Sequence, residues 1–175
     1  LAIGFNTAQL NCDFNYTGTV ENQLFALGRV GYFGTPVNYP QTLPALARAT
    51  DAAFSVEHRV RSYLAANCFQ CHQPGGTAQG LWDARSNTTM SEANIIDGPL
   101  LDDGGNPANR VIKPGSIDQS MILTRLKNLG ARHMPPLATS ELNHEVIALL
   151  SRWVTNDLAG ANSPPATAAK FIQSD

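Results

Sequence analysis

Cys68, Cys71 and His72 lie together in the stretch AANCFQCHQPGG, two thiols separated by two residues with an imidazole directly after the second. Three chemistries use parts of this pattern. A structural zinc takes CxxC as half of a tetrahedral site and requires a second half-site of similar spacing. The chain has no second CxxC and no HxxxH, and Cys12, His58, His133 and His144 stand singly. A redox dithiol places CxxC at the start of a helix after a strand, where the helix dipole lowers the first thiol's pKa; here a helix-like pattern precedes Cys68 instead. The third chemistry uses all three residues. In a c-type haem the two cysteines form thioethers with the macrocycle and the adjacent histidine coordinates the iron. The two intervening residues let one turn of chain reach both edges of the ring.

A haem iron needs a second axial ligand, and ARHMPPLATS offers one. Met134 precedes two prolines, each of which forces its predecessor out of the helical region, so Met134 is expected in a stiffened, extended stretch. His133 is its neighbour and a good iron ligand. Consecutive residues of an extended segment point to opposite sides, so only one of the two can face the iron readily. His133 therefore stands as the alternative distal ligand.

The elements that must hold these residues read as mainly helical. SVEHRVRSYLAAN has Ser55 as an N-cap and Val56, Val60, Tyr63 and Leu64 on one stripe, a helix that runs into Cys68. Residues 75–114 are rich in Gly, Pro, Asn and Asp, which predicts a long loop with a short helix near SEANII. In PGSIDQSMILTRL, Ser116 and Gln119 have capping-box spacing, which predicts a helix from Ser116. A last helix is expected from Ser140, with Leu142, Val146, Leu149, Leu150, Trp153 and Val154 on one face. LDDGG offers Asp102 and Asp103 to a cation but lacks the spaced ligands of a calcium loop, so it reads as a solvated turn. His58 and His144 read as solvated.

The 175 residues suffice for one domain plus an extension, and the expected division is 1–50 as an N-terminal arm packing on the core, 51–158 as the core, and 159–175 as a linker or tail. No apolar run is long enough to span a membrane. Twelve basic against fourteen acidic residues, with no basic block, argue against a nucleic-acid partner. The opening LAIGFNTAQLNC lacks an initiator Met and a leader pattern and reads as a piece of something longer.

CFQCH, IKPGSIDQSMILTRL, HMPPL and ELNHEVIALLSRWV, in that order across roughly Asp51 to Asp157, resemble the bacterial class I cytochromes c. The arm is similar to the NTAQLN…ENQL stretch that precedes such domains in some larger bacterial surface and periplasmic proteins, although Cys12 stands where those relatives often have Arg. The resemblance implies an all-α, cytochrome c-like helical fold with long loops around one covalent haem, and its pattern falls on Met134 as the distal ligand. It also implies that the other nitrogen of His72 donates to a carbonyl near Pro74. Arg110, Lys113 and Arg125 are candidates to meet the haem propionates, and Trp82 to close the haem edge. The implied function is electron transfer without catalysis, in a periplasmic, secreted or cell-surface setting. The implied partner is an oxidoreductase, such as a dehydrogenase or a polysaccharide-oxidising enzyme. A haem enzyme or gas sensor with a dissociating distal ligand is the rival, and a purely structural domain the third option. In an oxidising compartment the odd cysteine, Cys12, suggests burial or a disulfide-linked dimer.

Overall fold

The structure is a computed structural model that describes residues 5–137 and 139–160. Most of the expected tail, 159–175, lies outside the described residues. The chain divides into two compact units between Leu46 and Ala47, where the sequence reading put the boundary after residue 50.

In the first unit, α1 (Thr7–Leu10) begins at Asn6, which forms a capping box with Gln9. Strands β1 (Asp13–Tyr16) and β2 (Thr19–Asn22) pair antiparallel, with Asp13 opposite Asn22 and Tyr16 opposite Thr19. Their two-residue turn places Thr17 and Gly18 at positive φ, the backbone that matches the twist of a hairpin. Helix α2 (Gln23–Arg29) starts at Asn22, whose side chain accepts the Leu24 N–H. Buried Asn11 ties the unit together. Its amide donates to the carbonyls of Pro40 and Leu43 at 2.8 and 2.9 Å, and its oxygen accepts from Asn22 at 2.9 Å.

The hairpin overturns the expectation of an all-α, cytochrome c-like helical fold. The described residues form a mixed structure of six short α-helices, the longest of 12 residues, with a two-stranded sheet. Local turn chemistry at Thr17-Gly18 builds the sheet, and the long loop of the second unit carries the short helix expected near SEANII, at Met90–Ala93, together with backbone bridges. Ile96 pairs with Ile112, Arg110 with Ser120, and Lys113 with Ser116.

The second unit contains α3 (Val56–Asn67), α4 (Met90–Ala93), α5 (Met121–Leu126) and α6 (His144–Arg152), which runs on into a π-helical turn at Trp153–Asp157. Ser55 caps α3 by accepting the His58 N–H, as its spacing predicts. Helix α5 begins at Met121 and not at Ser116. Ser120 is fully buried and spends its hydroxyl on the Ser116 carbonyl at 2.7 Å, so residues 116–120 form a turn that the helix follows. Likewise Asn143, not Ser140, caps α6 by accepting the Val146 N–H. Val60, Leu64, Ile112, Leu123, Leu150 and Trp153 lie at the centre of one core, each stabilising by about 2 kcal/mol on burial.

Candidate functional site

Helix α3 delivers the site. Its last carbonyls continue the ladder, Leu64 accepting from Cys68 at 2.8 Å, and the Cys68 carbonyl then accepts the N–H groups of both Cys71 and His72, at 3.1 and 2.8 Å. Cys68, Cys71 and His72 therefore share one turn of chain. Both thiols are free and half-buried. Burial first, and neighbouring Cys71 second, push the Cys68 thiol up to about 12, so it is fully protonated at neutral pH. That is opposite to the lowered thiol pKa that a redox dithiol uses.

HQPGG reverses the chain directly after His72, as its composition predicts. Gly75 adopts φ +73°, and a Cβ on Gly76 would come within 2.2 Å of the Cys71 carbonyl oxygen, so only glycine fits. The returning chain then closes on His72. A Cβ on Gly80 would lie 3.2 Å from the imidazole, and the Trp82 ring stacks on it with centroids 4.1 Å apart and planes 23° from parallel. The His72 carbonyl accepts the Ala84 N–H at 2.9 Å, which fixes the far side of this cradle. Trp82 was a candidate for closing a haem edge; here it packs against the core and on the histidine itself.

His72 Nδ1 is buried without a hydrogen-bond partner, which corrects the expected donation to a carbonyl near Pro74. Burial first, and the Arg125 charge second, lower the His72 pKa, which keeps the ring neutral at pH 7, the form that ligates a metal. Arg125 stands in the last turn of α5, and its carbonyl accepts the Met134 N–H at 3.2 Å. One residue thus holds the Met134 backbone while its charge is felt at His72. Met134 and His133 are both half-buried, and the His133 ring turns back on its own loop, Nδ1 lying 2.8 Å from the Gly130 carbonyl oxygen. Of the other propionate candidates, Lys113 pairs with Asp97 at 2.9 Å, and Arg110 donates to the carbonyls of Pro107 and Asn109.

A second layer, missed from the sequence, supports the cradle. Buried Arg61 reaches from α3 to the carbonyls of Arg85 and Thr88 and lies 3.2 Å from the Met90 sulfur. Asp83, also buried, takes the Arg85 guanidinium at 2.6 Å and the Thr88 hydroxyl at 3.0 Å. No periodicity announces either residue. His58 is not solvated as expected but stacks on Phe54 with centroids 4.8 Å apart, whereas His144 is exposed. Cys12 is half-buried, with the Gln23 amide 3.5 Å from its sulfur.

No family model matches the chain, and no curated protein or solved structure is found to be similar to it. Among the described residues no three His, Cys, Asp or Glu side chains gather as metal ligands. No helix among them is long and apolar enough to cross a membrane. A c-type haem fits this donor set on its chemistry. It brings its own equatorial nitrogens and asks the protein for two thiols, a neutral imidazole with a buried edge, and one further axial ligand.

Proposed function

We propose that this chain is an electron-transfer c-type cytochrome of the class I kind, holding one haem covalently through Cys68 and Cys71 with His72 as proximal and Met134 as distal iron ligand. The observation that carries the proposal is the single turn that sets two free thiols and a ring-stacked histidine side by side. When bound, the haem supplies a reversible one-electron couple.

This chain's own residues attach, orient and shield it. The Cys68 turn sets the spacing of the two attachment points, and Gly80 with Trp82 fixes the plane of the His72 ring. Leu81, next to Trp82 in the sequence, and Leu137, three residues after Met134, are exposed apolar side chains. With His72 and Met134 both bound, the iron would have no open position for substrate, so the proposed role is electron relay and not catalysis. The proposed setting is extracytoplasmic and bacterial, and the partner an oxidoreductase that docks transiently.

One observation favours a second distal ligand. With Nδ1 donating to the Gly130 carbonyl, His133 has the tautomer whose Nε2 binds metal, the usual arrangement of a ligating histidine. Oxidised and reduced spectra of the protein from a haem-maturing host decide. The Met-to-iron charge-transfer band supports Met134, and its absence with bis-imidazole features supports His133. Carbon monoxide binding to the reduced protein would favour the gas-sensor or haem-enzyme rival. The disulfide dimer through Cys12 is checked by non-reducing gels, where a monomer band alone rules it out.

A further inference from the structure

The loop around LDDGG, a solvated turn from its composition, meets the Met134 segment through one carboxylate. Asp102 Oδ1 accepts the Gly104 N–H at 3.2 Å, and Oδ2 lies 3.1 Å from Arg125 Nη2 and 3.3 Å from Arg132 Nη1. Arg125 is the residue whose carbonyl accepts the Met134 N–H, and Arg132 stands two residues before Met134 in the same loop. The acid therefore grips the Met134 segment twice, once through its anchor and once directly. Arg132 is held at φ +67°, a left-handed backbone that a non-glycine residue adopts at a cost, and its ion pair with Asp102 helps to offset that cost. Arg125 is the better fixed of the two arginines, with 21% of its side chain exposed against 68% for Arg132. Adjacent Asp103 does none of this. Among the described residues its carboxylate accepts the local Gly105 N–H alone, at 2.8 Å.

We propose that Asp102 is a positioning residue that latches the Met134 loop, through Arg125 and Arg132, and so sets how readily the distal ligand leaves. The inference rests on the haem reading above. The contacts are near the surface, so each is modest, and the latch is expected to weaken as salt screens it.

The test is imidazole displacement of the distal ligand from the ferric holoprotein, followed by loss of the Met-to-iron band. Asp102→Asn is expected to raise the displacement rate roughly fivefold, as loss of two weak ion pairs predicts. Asp102→Glu is expected to restore most of the wild-type rate. Asp103→Asn removes the same charge one residue away and is expected to leave the rate unchanged. If Asp102→Asn yields no holoprotein, Arg132→Gln carries the test, with an expected increase of roughly two- to threefold. Hydrogen exchange at the Met134 amide, bonded to Arg125, is expected to quicken in the same variants. A wild type with the band whose rate is unmoved by Asp102→Asn, or moved equally by Asp103→Asn, overturns the latch alone. A wild type without the band overturns the Met134 assignment and the latch with it.

Discussion

The Trp82 indole lies on the His72 imidazole with centroids 4.1 Å apart and planes 23° from parallel, ten residues on from the histidine it orients. The chain can return so soon because Gly75 and Gly76 turn it and Gly80 has no Cβ to press on the ring. Trp82→Ala is expected to cost about 2–3 kcal/mol in thermal or denaturant unfolding, from lost stacking and lost apolar contact, and Trp82→Phe less than half of that. Equal losses for Ala and Phe would mean that stacking contributes nothing.

At the distal side the two candidates separate cleanly. Met134→Ala is expected to abolish the Met-to-iron band and lower the potential by roughly a hundred millivolts or more, a fraction of the range that axial ligands span. His133→Ala is expected to leave both unchanged. The reverse pattern would assign His133.

What the sequence makes legible follows from where its signals are local. Ser55, Val56, Val60 and Leu64 combine a cap with a helical period, and the structure places the helix there. The spacing within CFQCH is local too, and the residues it groups share one turn. The hairpin was missed because Phe14, Tyr16 and Val20 are exposed, so no buried face leaves an alternating pattern; only Thr17-Gly18 hinted at it. Ser116 and Ser140 misled because the buried Ser120 hydroxyl closes residues 116–120 into a turn ahead of α5, and the Asn143 side chain takes over the capping of α6. Trp82 on His72, Arg61 on the 85–88 loop and Asp102 on two arginines are tertiary contacts that no periodicity encodes.

The Asp83 cluster makes stability depend on pH. Burial works to raise the Asp83 carboxyl, but the Arg85 guanidinium and N–H and the Thr88 hydroxyl outweigh it and hold the group below the ordinary carboxylate range. Its stabilisation is therefore full above the unfolded pKa of about 3.9 and is lost as pH falls through the lower folded value. Asp83→Asn is expected to cost about 2 kcal/mol at pH 7 and progressively less below pH 4. A cost independent of pH, measured by urea unfolding across that range, would show that charge plays no part.

Asn11 makes the first unit testable by itself. Asn11→Ala removes the bonds it makes to the Leu43 carbonyl and the Asn22 amide, while the Pro40 carbonyl keeps the Leu43 N–H at 3.0 Å, with an expected loss of about 2 kcal/mol. Quicker proteolysis within residues 11–46 would register it, and an unchanged cleavage rate would contradict it.

The central claim is a covalent haem at Cys68, Cys71 and His72, and acid–acetone extraction of the purified protein from a haem-maturing host tests it most directly. The haem is expected to stay with the wild-type polypeptide and to be lost from the Cys68→Ala, Cys71→Ala double variant. A colourless protein, or haem that passes into the organic phase from the wild type, would contradict the account.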